Sequence, residues 1–308
     1  MKKTNILKYT LFILLFSVFF VACKDDESCA ESTWYTDADA DGLGNPDVSI
    51  LACEQPEGYV ANMDDKIDQV MTRQATPMLF KSTGERCGPC GGWGWEAYGD
   101  IIYKYKGGKA FTWANYGSSF SSGYFRGQEM NETRSTMEEI QSSFSQNASK
   151  PSFIVNNEVF SSFEGPVNAM EAADAFFLTQ APVGIVMSTH LEGNTLTIHA
   201  EAEVFANLDD GAYVMGAYLI EDKAVGPQDG DIGVNGDVQH HNVMRGSLSE
   251  TPWGEELSAD GLIEGSVYER TYTIEVPESY NKENFSYGVI LWSRRISTYK
   301  FVNACTTQ

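Results

Sequence analysis

Cys87 and Cys90 flank Gly88-Pro89, a spacing that keeps two sulfurs within reach of each other. Thr76 to Lys81 reads as a strand ahead of them. A helix pattern follows, with Trp95, Tyr98, Ile101, Ile102 and Tyr105 three and four residues apart, ending at Gly107-Gly108. A cysteine at the start of such a helix faces unpaired backbone amides and the positive end of the helix dipole, which stabilises the Cys87 thiolate. Cys90, one turn on, can resolve a mixed disulfide formed at Cys87. Arg86 adds a positive charge beside the first sulfur. Gly91, Gly92, Gly94 and Gly99 weaken the helix, each by on the order of 1 kcal/mol relative to alanine. Zinc would want four ligands, and no second Cys-x-x-Cys or matched histidine pair supplies them. The competing reading is a static structural disulfide, since exported proteins oxidise close cysteine pairs routinely.

A second constellation lies upstream. Asp37-Ala38-Asp39-Ala40-Asp41-Gly42 sets three carboxylates at alternate positions before a glycine that permits a tight turn, so the loop can wrap its oxygens around one hard cation, calcium above all. Asp64 and Asp65 form a closing acidic pair. The loop is not an EF-hand, because Val48 stands where a bidentate glutamate would be needed. The surrounding segment, residues 29 to 68, is short of apolar clusters and needs a staple. Cys29 with Cys53 is the simplest pairing, although spacing does not establish it, and Cys305 is then left over. The segment resembles the thrombospondin-type-3-like calcium-binding repeats of secreted bacterial proteins. The competing reading is a solvated acidic linker.

The elements that must position the dithiol follow in order: strand, Cys-x-x-Cys, helix, strand (Lys109 to Tyr116), helix (Thr133 to Ser145), a strand opened by Pro151, strand (Val159-Phe160) and helix (Val167 to Leu178). That order is the one found in a thioredoxin fold. Cys-Gly-Pro-Cys resembles the thioredoxin motif, and Lys150-Pro151-Ser152-Phe153-Ile154 resembles the cis-proline loop of that fold, which would set Pro151 against the sulfurs. Arg86 departs from the tryptophan usual there, and Lys81 from the buried acid that serves as proton acceptor. Beyond Ala181 the pattern is all β, with six alternating runs that read as a β-sandwich of immunoglobulin-like type. The expected fold class is α+β multidomain, with a thioredoxin-like α/β domain at 69–181, a β-sandwich at 182–308 and a small calcium-loop module at 29–68.

Residues 1–22 carry Lys2, Lys3 and Lys8, then an apolar run from Tyr9 to Val21 too short to span a bilayer. Phe20-Val21-Ala22-Cys23 resembles the lipobox of bacterial lipoproteins, which implies an acylated Cys23 at the mature N-terminus. The acidic tether at 23–28 looks like a surface-export signal. Loss of the leader's three lysines leaves 18 basic residues against 43 acidic, about −25, which excludes nucleic acid as a partner.

Thr83-Gly84-Glu85-Arg86-Cys87-Gly88-Pro89-Cys90, Tyr218-Leu219-Ile220-Glu221-Asp222, Gln228 and His240-His241-Asn242-Val243-Met244-Arg245 together resemble the outer-membrane protein 28-related lipoproteins over roughly residues 70–308. The resemblance implies an outer-membrane location and a C-terminal β domain more than an activity. His240-His241 departs from that family's spaced histidines, and strand or loop packing is expected there. Two functions follow from the residues. One is an envelope thiol-disulfide oxidoreductase acting on protein thiols and disulfides through Cys87, Cys90 and Pro151, with no organic cofactor. The other is a surface binding or adhesion lipoprotein in which Cys87-Cys90 is structural and an external surface ligand is the partner.

Overall fold

A computed structural model of the chain describes residues 29–122, 124–126, 136–145, 147–208, 211–230 and 237–308. The leader, Cys23 and the tether lie outside the described residues. Among the described residues no helix is long and apolar enough to cross a membrane.

The first forty described residues form a small antiparallel sheet from β1 (Ser32–Thr36), β2 (Ser49–Ala52) and β3 (Tyr59–Val60), in the order β2-β1-β3. None of its strand residues is buried, so burial contributes little to it, and the Cys29–Cys53 disulfide (Cα–Cα 5.6 Å) joins the residues flanking β1 and β2.

The next stretch runs β4 (Met78–Ser82), α1 (Gly88–Gly91), α2 (Trp93–Lys104), β5 (Phe111–Asn115), α3 (Thr136–Phe144), β6 (Ser152–Val155), β7 (Glu158–Phe160) and α4 (Gly165–Phe177). Gly92, at φ −96° and ψ −123°, divides the expected single helix after the cysteines into α1 and α2. The chain ends in β8 (Val183–Glu192), β9 (Thr195–Val204), β10 (Ala212–Glu221), β11 (Ala224–Pro227), β12 (Asp237–His240), β13 (Val243–Ser247), β14 (Glu255–Ser258), β15 (Val267–Glu275), β16 (Phe285–Arg295) and β17 (Thr298–Thr306).

These elements overturn the expected fold class. Strands β4 to β7 do not make a separate α/β domain followed by a free-standing immunoglobulin-like sandwich. They belong to one nine-stranded sheet, β17-β16-β10-β13-β5-β4-β6-β7, with β14 paired to β10 off the main path. The join is β13, which pairs antiparallel with β10 on one side and parallel with β5 on the other. Among the described residues seventeen strands accompany four helices, so the molecule is predominantly β.

Packing explains why the sheet is continuous. Every residue of β10 is buried, because the strand is covered on both faces. Val214, Tyr218 and Ile220 face a core shared with Phe80, Phe111, Trp113 and the helices. Tyr213, Met215, Ala217 and Leu219 face a second core, closed by the three-stranded sheet β15-β9-β8. Cutting the chain at residue 181 would expose apolar surface on both parts, and with ~25 cal/mol lost per Å² no such boundary is favoured.

Candidate functional site

The Cys-x-x-Cys segment hangs between β4 and α1, and several hydrogen bonds fix it. The Thr83 amide donates to the Asn115 carbonyl (2.9 Å), Arg86 to Phe120 (3.0 Å) and Cys87 to Gly84 (3.2 Å). Buried Glu85 accepts from the amide and hydroxyl of Ser122 at 2.9 and 3.1 Å. From the far end of the sequence, Gln228 Nε2 faces the carbonyls of Gly84, Glu85 and Cys87 at 3.1 to 3.2 Å, and the Asp229 amide donates to Glu85 O at 2.7 Å. Gly91 has no room for a side chain, since the Asp229 backbone lies against it. The 228–230 strap therefore holds the cysteine loop from outside.

Within this frame the two sulfurs are joined, with Cα atoms 5.2 Å apart, and they are not equivalent. Cys90 is fully buried, whereas Cys87 is 7% exposed and borders a cleft of about 680 Å³. Arg86, Phe120, Glu138, Ser142 and Lys150 form other parts of that wall. Cys87 is the N-cap of α1 in extended conformation; its carbonyl accepts from Cys90 (3.0 Å) and Gly91 (3.3 Å), and its side chain makes no capping hydrogen bond. Because α1 is one turn long and its Cys90 and Gly91 amides already donate to the Cys87 carbonyl, the positive charges of Arg86 and Lys150 along the cleft, and not a long helix dipole, are what can stabilise a thiolate.

Pro151, at a cis Lys150-Pro151 bond, is buried against the first turn of α2, where a Cβ at Gly94 would come 2.5 Å from the proline ring. Lys150 borders the same cleft as Cys87, and burial lowers its pKa. Behind the helix, Lys81 is 2% exposed. Its Nζ donates to Gly94 O at 3.4 Å and lies over the Trp95 and Tyr98 rings at 5.5 and 5.2 Å. Burial brings its pKa down to about 7, so a near-neutral amine occupies the place where the sequence lacks an acid.

The acidic module gathers its carboxylates in two overlapping groups, Asp37 with Asp39 and Asp41, and Asp39 with Asp65 and Asp68, each with oxygens within 4.8 Å. Asp64 is exposed and belongs to neither. Asp68 was not among the residues singled out in the sequence. It accepts from Thr36 Oγ1 at 3.0 Å and from the Ala38 amide, and in sequence it is the last residue of the 29–68 segment, apart from both the 37–41 run and the Asp64-Asp65 pair. Asp65 is 4% exposed; its Oδ1 accepts the Ile67 amide at 2.7 Å and its Oδ2 is buried without a partner. Burial raises the pKa of Asp65 and of Asp39, and neighbouring carboxylates add to it. An orphaned buried carboxylate oxygen in an all-oxygen donor set fits a hard divalent cation.

The histidine pair forms no such group. His240 is buried and hydrogen-bonded to Tyr116 Oη (2.6 Å) and the Gly226 carbonyl (3.2 Å), with its pKa brought down to about 4 by burial. His241 pairs with Asp222 at 2.7 Å. Cys305 is a free thiol on β17, pushed up to about 12 by burial.

No family model matches the chain, and no curated protein matches it. Solved structures do. HBP35 of Porphyromonas gingivalis superposes with a TM-score of 0.59 at 13% identity, over 77% of this chain and 76% of that one, which establishes a shared fold. A structural-genomics protein of Agrobacterium tumefaciens matches at 0.46 and 13%, over 76% of this chain and 94% of that one. A domain of the outer membrane lipoprotein Omp28 from Porphyromonas gingivalis matches at 0.27 and 19%, over 41% and 86%.

Proposed function

We propose that this chain is an outer-membrane lipoprotein, anchored through Cys23, that exchanges disulfides with protein thiols at Cys87 and Cys90. The observation that carries the reading is the asymmetry of the pair: Cys87 borders an open cleft and Cys90 is fully buried. An inert structural bond has no need of such a difference, whereas exchange requires that an incoming sulfur reach one cysteine only. In the reducing direction the Cys87 thiolate attacks a substrate disulfide, forming a mixed disulfide and releasing one substrate thiolate. The Cys90 thiolate then attacks Cys87, releasing the second thiolate and closing the Cys87-Cys90 bond. Two electrons pass to the substrate, and a partner dithiol must restore the reduced pair. The same steps in reverse oxidise a substrate dithiol. Arg86 and Lys150 supply positive charge around the cleft, and Pro151, at the cis bond after Lys150, packs against Gly94 in the first turn of α2.

The test is trapping. With Cys90→Ser, a disulfide-bearing peptide should accumulate as a mixed disulfide on Cys87; with Cys87→Ser none should form on Cys90. Equal trapping by both variants, or by neither, would leave the surface-binding lipoprotein as the reading.

Calcium is proposed for the N-terminal module, held by Asp37, Asp39, Asp41, Asp65 and Asp68, with the orphaned Oδ2 of Asp65 as the supporting observation. Chelation is expected to lower the thermal midpoint of the full chain; a midpoint indifferent to EDTA and calcium would end that reading.

A further inference from the structure

A smaller cavity, of about 170 Å³, is lined by residues of α2, β4 and β5 and shares no wall residue with the dithiol cleft. Exposed Glu96, Gly99 and His241 form its mouth, and Trp95, Ile102 and Ala114 give it an apolar wall. Lys81, Tyr98 and Tyr116 also line it, and all three are buried. This inner end is polar and under-satisfied. Among the described residues the Lys81 amine has one acceptor, Gly94 O at 3.4 Å, and no carboxylate pairs with it. The Tyr98 hydroxyl is buried with no hydrogen-bond partner, a costly state unless something else supplies an acceptor. Tyr116 is different. His240, neutral in its buried place, donates from Nε2 to Gly226 O, so its Nδ1 accepts and the Tyr116 proton is committed to it at 2.6 Å.

These groups select the occupant. A cation would be repelled by Lys81, and an anion would meet Glu96 at the mouth and the charge of Asp222 near Tyr98. A neutral carbonyl compound meets neither obstacle: its oxygen can accept from Tyr98, and its carbon faces an amine. A cavity of ~150 Å³ holds a molecule of benzene's size, so the space suits a short aliphatic or single-ring tail against Trp95 and Ile102. We infer that this cavity takes up a small neutral aldehyde and that Lys81 captures it as an imine. The amine lone pair forms a bond to the carbonyl carbon, and the carbonyl oxygen, held by the Tyr98 hydroxyl, receives one proton from nitrogen. The carbinolamine then breaks its C–O bond and loses that hydroxyl with the second nitrogen proton as water, leaving C=N; nothing is oxidised or reduced. Burial favours the step, because Lys81, with its pKa brought down to about 7, holds far more free amine at neutral pH than an exposed lysine at about 10.4.

The experiment treats the full-length chain with butanal and cyanoborohydride at neutral pH and locates N-butyl-lysine by peptide mass mapping, with exposed Lys106 and Lys109 as internal references. Lys81 should be labelled about tenfold faster than either reference, or more, since its free-amine fraction is so much larger. Gly99→Leu puts a side chain at the mouth, where a Cβ meets nothing within 4 Å and the fold is undisturbed. It should slow labelling of Lys81 several-fold and leave the references unchanged. Tyr98→Phe, which removes only the orphaned hydroxyl, should slow it as well. Labelling of Lys81 no faster than that of Lys106 and Lys109 would overturn the proposal. So would labelling at the wild-type rate in either variant, because the aldehyde would then not be entering and held in this cavity.

Discussion

At the scale of single residues, the structure gives Lys81 a consequence that its sequence position does not announce. Lys81 stands where thioredoxins carry a buried acid, and lysine is a residue type seldom buried. Both neighbours of Lys81 on β4 are buried, however, and the side chain is covered by Trp95 and Tyr98. With its pKa lowered to about 7 in the fold, the unfolded chain binds the proton more tightly between roughly pH 7 and pH 10. Stability should therefore rise with pH across that window, by at most about 1.4 kcal/mol per pH unit, and level off below pH 7. Lys81→Met should remove this slope. Urea melts of both proteins at pH 7, 8 and 9 check it, and parallel curves would contradict the buried amine. The cysteines themselves were legible from type and spacing, whereas Asp68 was not, and Gln228 entered only as a residue of the family resemblance, without its role at the cysteine loop. Each acts through contacts to residues distant in sequence, Gln228 to the 84–87 loop and Asp68 to Asp39 and Thr36.

At the scale of elements, the strands and helices around the dithiol followed their hydrophobic periods, and the break at Gly92 did not. Four glycines predict a weak helix, but only packing says which of them is obligatory. Gly94 carries Pro151 at contact distance, whereas a Cβ on exposed Gly99 would meet nothing within 4 Å. Gly99→Ala should thus stabilise the protein by about 0.5–1 kcal/mol, the ordinary helix-propensity gain. Gly94→Ala should reverse the sign and cost about 1–3 kcal/mol through overpacking on the proline. Thermal midpoints of the two variants decide the matter; two stabilised proteins would mean that Pro151 does not lie where described. Strand β13 was invisible for a related reason. It is five residues long, buried throughout, and contains Arg245 and Ser247, so neither alternation nor composition marks it.

At the scale of the whole molecule, β13 is what makes one body from two expected domains. Arg245, fully buried, donates to Glu221 on β10 at 2.7 Å and to the Tyr124 carbonyl at 2.7 Å, and its guanidinium lies 4.3 and 4.4 Å from the Tyr124 and Tyr280 ring centroids. The segments Tyr218–Asp222 and His240–Arg245, read in sequence as family motifs, are thus the two sides of this junction. Arg245→Met alone should cost about 3–5 kcal/mol by leaving Glu221 buried and unpaired, and Glu221→Met added to it should recover most of that loss. Loss of the whole cooperative transition, rather than separation into two, is the expected signature in a melt followed by near- and far-UV circular dichroism. Two resolved transitions would restore the two-domain picture that the continuous sheet displaces.

The central claim is that Cys87-Cys90 is an exchanging pair, and its reduction potential tests it most directly. Equilibrated against glutathione and then dithiothreitol buffers, the pair should titrate between about −120 and −270 mV, the range of working dithiols. A potential below about −300 mV would mark a structural bond and contradict the account.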